Sequence, residues 1–145
     1  MMKAKLLIFS IVMLFVFAVN SSAQEKSLYQ RLGGYDAIAA VTDDLIARLV
    51  QDKKLSEYFV GLSTSSKKRL RQHLVDFLCQ ISGGPCVYTG RDMKTAHAGL
   101  GLDEEDWKIF VKLANETFDK FKVPERERNE VITALSGMKK DIVEK

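Results

Sequence analysis

A histidine on the apolar face of a short helix places the strongest constraint on how this chain can fold. Four residues at offsets of three and four share that face: Met93, Ala96, His97 and Leu100. Gly99 allows the chain to turn sharply directly afterwards. A neutral imidazole in such a place is either a core histidine bonded to a backbone carbonyl or an axial ligand of haem iron. The segment alone leaves both interpretations open.

Apolar residues elsewhere also recur with helical spacing, and no stretch shows the alternation that indicates a β-strand. Capping residues, glycine and proline divide the chain into segments. Helices are predicted at 27–32, from Asp36, from Ser65 or Ser66 to the Gly-Gly-Pro break at 83–85, at 93–97, from Asp103, and from Pro124 through Ile142. The predicted fold class is therefore all-α, with amphipathic faces that close on each other or on a ligand.

The first residues have the pattern of a cleaved secretory signal. Two lysines precede an apolar run at Leu6–Val19, and small residues follow, ending at Ala23. The run is too short for a comfortable membrane span, although an uncleaved anchor is the alternative. We therefore expect a signal peptide at 1–23 and a single domain at 24–145. The protein is then exported to the periplasm and keeps no stable membrane anchor after cleavage.

Charge and cysteine usage limit the partners of the domain. The net charge of +3 falls to +1 without residues 1–23, so no electrostatic footprint for nucleic acid remains. Cys79 and Cys86 flank the break at 83–85, and export makes a disulfide between them possible. No CxxCH motif is present, so covalent haem attachment of that type is excluded.

Several short motifs occur in an ordered series along the chain. They are the segments 28–34, 55–59, 83–85, 88–90, 93–97 and 99–102, the last leading into a helix with Trp107 and Phe110. In this order and at these spacings the set resembles the group I truncated haemoglobins, and the resemblance covers nearly all of residues 24–145. It implies a truncated globin, a two-over-two helical sandwich around one non-covalent haem b.

The resemblance also implies residue roles. It identifies His97 as the proximal iron ligand. Residues matching haem contacts in that family are Phe59, Leu70, Leu74, Phe77, Leu78, Tyr88 and Met93. Arg91 or Lys94 is expected to reach a haem propionate.

The distal side departs from the common pattern of that family. Many members carry a tyrosine and a glutamine where this chain has Ile46 and Leu74, which donate no hydrogen bond. Loss of such a donor weakens oxygen binding by about 1–3 kcal/mol. His73 matches a position that some members use as a second iron ligand, so it is a candidate distal ligand. The chain has no third histidine for the covalent linkage known in that group.

These features favour a haem b protein that binds O2, NO or CO, with a redox or reactive-species role and a redox partner of unknown identity. Nitric oxide dioxygenase-like or peroxidase-like activity is compatible with them. The alternatives are a haem-based sensor or interaction module without catalysis, and a haem-free helical binding domain.

We predict that the mature protein begins at Gln24, because Ser21 and Ala23 occupy the positions read by a signal peptidase. The intact mass of protein released from the periplasm tests this. Full-length chain recovered from the cytoplasm would contradict it.

Overall fold

Helices make up the regular structure of this computed structural model, which describes residues 25–145. The predicted signal peptide lies outside that range. The helices are α1 (Leu28–Arg31), α2 (Gly34–Gln51), a 3₁₀ helix (Leu55–Phe59), α3 (Thr64–Ile81), α4 (Met93–His97), α5 (Glu104–Lys120), α6 (Glu125–Ser136) and α7 (Lys139–Ile142). No strand occurs within 25–145, which confirms the all-α prediction. None of these helices combines the length and the apolar character needed to cross a membrane.

The long helices form two packed pairs. α2 packs against α3 and α5, and α5 in turn contacts α6. Three clusters of buried residues join them: Ile38, Ala39, Val75 and Cys79; Ala114, Phe118, Val123 and Val131; and Leu49, Leu55 and Leu113. This arrangement is the two-over-two helical sandwich expected from the sequence.

Two helices begin earlier than predicted. α2 starts at Gly34 with Gly33 as N-cap (φ +97°), so Asp36 lies in the first turn and is not the cap. α3 starts at Thr64, because the Ser63 side chain caps it by accepting a hydrogen bond from the Ser66 N–H at 3.1 Å. Ser65 and Ser66 therefore lie inside the helix.

The last predicted helix is two helices. α6 starts after Pro124 and ends at Ser136, and α7 starts at Lys139. The periodic apolar residues continue across the break at Gly137, so periodicity alone gave no sign of it. By contrast, the predicted Asp103 N-cap of α5 is confirmed: its carboxylate accepts from the Asp106 N–H at 2.8 Å.

The core faces of α3 and α5 also differ in part from simple periodicity. On α3 the fully buried residues are Val75 and Cys79, and the apolar stripe through Leu70, Leu74 and Phe77 is only half-buried. On α5, Phe121 directly follows the helix and is 38% exposed. The half-buried stripe of α3 is therefore free to form the wall of a ligand site.

A carboxylate at the packing surface joins α2 to α5. Asp44 accepts hydrogen bonds from Arg48 Nε at 2.7 Å and from the Thr117 hydroxyl at 3.0 Å, and also from the Lys120 ammonium. Burial alone would raise the pKa of Asp44, but these donors outweigh it and hold the pKa at about 2.

We predict that Asp44→Asn lowers the free energy of unfolding at pH 7 by about 1–3 kcal/mol, because it weakens a largely buried, charge-assisted set of hydrogen bonds. The folded pKa of Asp44 is depressed, so its contribution is complete above the unfolded pKa and is lost as pH falls toward 2. Urea denaturation at pH 7 and pH 3 measures both effects.

Asp43→Asn is the matched control, since Asp43 forms an exposed ion pair with Arg71 at 2.7 Å. We expect it to cost less than about 1 kcal/mol. An equal cost for the two variants would show that Asp44 does not join the helices as described.

Candidate functional site

The His97 side chain is fixed by its own helix. The Nδ1 atom lies 2.7 Å from the Met93 carbonyl oxygen, one turn earlier in α4. A carbonyl only accepts, so Nδ1 carries the ring proton and donates it, which leaves the Nε2 lone pair free. The ring is half-buried. This is the tautomer and orientation in which histidines bind metals, with the second nitrogen held by a hydrogen bond.

The start of α4 is also fixed. The Asp92 carboxylate accepts from the Thr95 N–H at 2.9 Å and from the Thr95 hydroxyl at 2.7 Å. These bonds hold the pKa of Asp92 below its ordinary value. The cap therefore positions the five-residue helix that carries His97.

One ring nitrogen of His73 is buried without a polar partner. Its Nδ1 atom is buried and has no hydrogen-bond partner among residues 25–145. The Oδ1 atom of Asp106 also lacks a well-aligned hydrogen bond, but Lys54 Nζ lies 2.9 Å from it. His73 is thus the side chain whose buried polar atom is left without compensation, which costs free energy unless a ligand or metal lies beside it.

Aromatic rings pack around His73. The Tyr88 ring lies 5.9 Å from the His73 ring and 5.3 Å from the Phe77 ring, edge-on in both cases. The Tyr88 hydroxyl donates to the Arg91 carbonyl at 2.6 Å, so its proton is not available to a ligand. The structure therefore brings three predicted site residues, His73, Phe77 and Tyr88, into one group.

A disulfide holds Tyr88 in this group. Cys79 of α3 is fully buried and is bonded to Cys86 in the following loop, which answers the question left open by the sequence. Within that loop the Tyr88 N–H donates to Gln80 Oε1 at 2.6 Å. The loop is thus tied to the same helix that carries His73.

The apolar residues predicted to contact haem are neither fully buried nor fully exposed. Every one of them is half-buried: Phe59, Leu70, Leu74, Phe77, Leu78, Tyr88 and Met93. Phe59 packs on the Leu49, Leu55 and Leu113 cluster, and Leu78 on the cluster of α2 and α3. Arg91 and Lys94 are exposed, so both are free to reach a charged group.

Sequence reasoning did not find the polar network beside Phe59. The Tyr58 hydroxyl donates to Asp106 Oδ2 at 2.9 Å, and Lys54 lies 2.9 Å from both Asp103 and Asp106. Burial and the bond to Asp106 raise the pKa of Tyr58 to about 12. The network fastens the 3₁₀ helix to the start of α5 and so holds Phe59 in place. The capping pattern at Asp103 was the one local signal for it.

The family model of the bacterial-like globins matches residues 27–144. The chain belongs to this family. A curated relative, the group 1 truncated haemoglobin GlbN of a Nostoc species, is 34% identical over 120 residues, which is 83% of this chain and 99% of the relative.

Solved structures show the same globin fold. The Fe(III) form of the truncated haemoglobin from Tetrahymena pyriformis has a TM-score of 0.75 at 24% identity, over 83% of this chain and 100% of that one. The 2/2 haemoglobin of a Synechococcus species, with covalently attached haem, has a TM-score of 0.74 at 23% identity, over 81% of this chain and 98% of that one.

Membership of a globin family implies that the chain binds haem, and the side chains of this globin fit that group. A flat macrocycle needs apolar walls, and the half-buried apolar residues would supply them without loss of the buried core clusters. An axial ligand needs a free imidazole nitrogen, which His97 offers. The uncompensated nitrogen of His73 is a second candidate.

We predict that replacing both cysteines (Cys79→Ser with Cys86→Ser) loosens the Tyr88 loop without unfolding the globin. The loss of loop constraint should cost roughly 2–3 kcal/mol of stability. Hydrogen exchange should accelerate more at the Tyr88 amide than in α6, where it reports only the lower global stability. Wild-type protein treated with dithiothreitol should behave like the variant. Unaltered protection at Tyr88 would contradict the role given to the bridge.

Proposed function

We propose that this globin is an exported haem b protein that binds one haem non-covalently and takes O2, NO or CO at the iron. The observation that supports it best is the Nδ1 bond of His97, which leaves Nε2 ready for the proximal position. Bound haem supplies an iron that binds diatomic gases and exchanges electrons. The chain's own part is to orient the two histidines, to exclude water with apolar walls, and to fix the ring proton of His97.

The distal side is proposed to hold His73 as a second iron ligand when no external ligand is present. Its buried Nδ1 atom has no partner within 25–145, and Ile46 and Leu74 offer none. The Tyr88 hydroxyl is already bonded to the Arg91 carbonyl. Iron ligation would satisfy one nitrogen of an imidazole that its surroundings leave unpaired. The alternative is that His73 lies at the rim of the haem pocket and bonds a propionate or water.

Bis-histidine coordination favours electron exchange and reactive-species chemistry over oxygen storage. With His73 at the iron, an external ligand would bind only in competition with this side chain. No side chain at positions 46 and 74 can donate a hydrogen bond to stabilise oxygen. Such a site suits nitric oxide dioxygenase-like or peroxidase-like turnover with a redox partner better than tight oxygen carriage.

A cavity between the helices supports the proposal that the protein takes up small apolar ligands. It has a volume of about 50 Å³, is lined almost entirely by apolar side chains, and lies where α1, α2, α3, α5 and α6 meet. Leu78 of the predicted haem wall is one of its lining residues. The volume exceeds the roughly 10–15 Å³ needed by one water-sized molecule, and the lining favours an apolar gas.

Export is supported by the disulfide. A bridge between Cys79 and Cys86 persists in an oxidising compartment such as the periplasm and is rare in the cytosol. This agrees with the signal peptide predicted at 1–23.

Haem titration of the purified protein tests the function. We expect a Soret band that saturates at one haem per chain, a pyridine haemochrome of the b type, and a shift of the ferrous band with CO. Absence of a Soret band after haem-supplemented expression would instead favour the haem-free helical binding domain.

We predict that ferric wild-type protein at neutral pH has a low-spin bis-histidine spectrum, and that His73→Ala makes it high-spin or adds a water or hydroxide ligand. Gln72→Ala is the control, since Gln72 is the exposed neighbour that bonds Tyr35 and Asp76. A wild type that is already five-coordinate or water-bound, and unaltered in His73→Ala, would refute distal ligation.

A further inference from the structure

One carboxylate holds the backbone directly after His97. Glu144 Oε1 accepts from the Gly99 N–H at 2.7 Å, and Glu144 Oε2 accepts from the Gly101 N–H at 2.6 Å. The backbone N–H of Glu144 donates in the opposite direction, to the Leu102 carbonyl at 2.8 Å. Three hydrogen bonds therefore join Glu144 to the segment 99–102, which begins two residues after His97.

The glycines explain how two N–H groups reach one carboxylate. Gly99 and Gly101 have φ values of +79° and +69°. This left-handed backbone is open to glycine at little cost, and it lets nearby N–H groups converge on an anion. The bonds from both glycines hold the pKa of Glu144 below its ordinary value. The Gly-Leu-Gly segment thus forms a turn and also binds a carboxylate through its backbone N–H groups.

The His97 helix depends on such external bonds. α4 has five residues, and a helix of this length is not stable by itself. At its end Ala98 leaves the helical conformation (ψ 127°), and the local hydrogen bond at the turn that follows runs from the Leu100 N–H to the His97 carbonyl at 3.1 Å. Asp92 holds the start of α4, and Glu144, which follows α7, holds the segment after its end.

We propose that Glu144 is a positioning residue for His97, which sets how firmly the imidazole is held at the haem iron. The inference rests on the proposed role of His97 as proximal ligand. Both carboxylate oxygens are bonded to backbone N–H groups, and charge-assisted bonds of this kind are about twice as strong as neutral ones. Loss of the carboxylate frees the Gly99–Gly101 turn, and with it the end of α4.

The experiment compares wild-type holoprotein with Glu144→Ala and Glu144→Gln. Transfer of haem to an apoprotein acceptor gives the haem dissociation rate, and resonance Raman spectra of the ferrous proteins give the Fe–His stretching band. The spectra are recorded in a His73→Ala background, which leaves His97 as the one protein ligand. Glu125→Ala is the control, because it removes the same charge from an exposed residue of α6.

We expect Glu144→Ala to lose haem several-fold faster and to shift or broaden the Fe–His band. Glu144→Gln retains one acceptor oxygen and should fall between Glu144→Ala and wild type, while Glu125→Ala should match wild type. A Glu144→Ala protein with an unchanged Fe–His band overturns the inference, even if its melting temperature falls, because Glu144 would then be merely structural.

Measurements on the wild type distinguish a failure of this inference from a failure of the proposed function. A wild type without haem, or with a spectrum indifferent to His97→Ala, refutes the function and the Glu144 role together. A wild type that holds haem through His97, beside a Glu144→Ala variant with the same haem loss and the same band, refutes the Glu144 role alone.

Discussion

The hydrogen bond between His97 Nδ1 and the Met93 carbonyl is the interaction on which the site depends. At 2.7 Å it fixes both the tautomer and the direction of the ring. It forms within one turn of a helix, so the sequence needs only the four-residue spacing of Met93 and His97 to encode it. A histidine in an ordinary protein core would make the same bond, and membership of the globin family favours haem ligation over that case.

The fold divides stability and function between different elements. The four long helices bury the core, and Asp44 joins α2 to α5 through donors from both helices. The groups proposed to contact haem lie instead on the half-buried face of α3, on the loop after it, on the five-residue α4 and at the end of the 3₁₀ helix. These weaker segments are held by specific bonds: a disulfide for the Tyr88 loop, and carboxylates at both ends of α4. These bonds tie the segments of the candidate site to the rest of the fold, in the case of the disulfide through the buried Cys79.

Local signals in the sequence were enough for the all-α class, whereas the two-over-two fold and the role expected for His97 came from the resemblance carried by the ordered motifs. The Asp103 cap and the break after Ile81 were predicted correctly, because capping and glycine chemistry act within a few residues. The cap of α2 was assigned three residues too late because Gly33 has no side chain to signal it. The contact between Glu144 and Gly99 joins residues 45 positions apart and follows no repeat or spacing. Such a contact depends on tertiary packing, so the sequence could not reveal it.

The central claim is that His97 supplies the axial nitrogen of a haem in this globin. It is tested most directly by His97→Gly, which removes the imidazole and leaves space for an exogenous one. We expect this variant to lose the wild-type spectrum and haem affinity, and free imidazole to restore both in a saturable titration. A His97→Gly protein that keeps the wild-type spectrum and haem affinity without added imidazole would contradict the account.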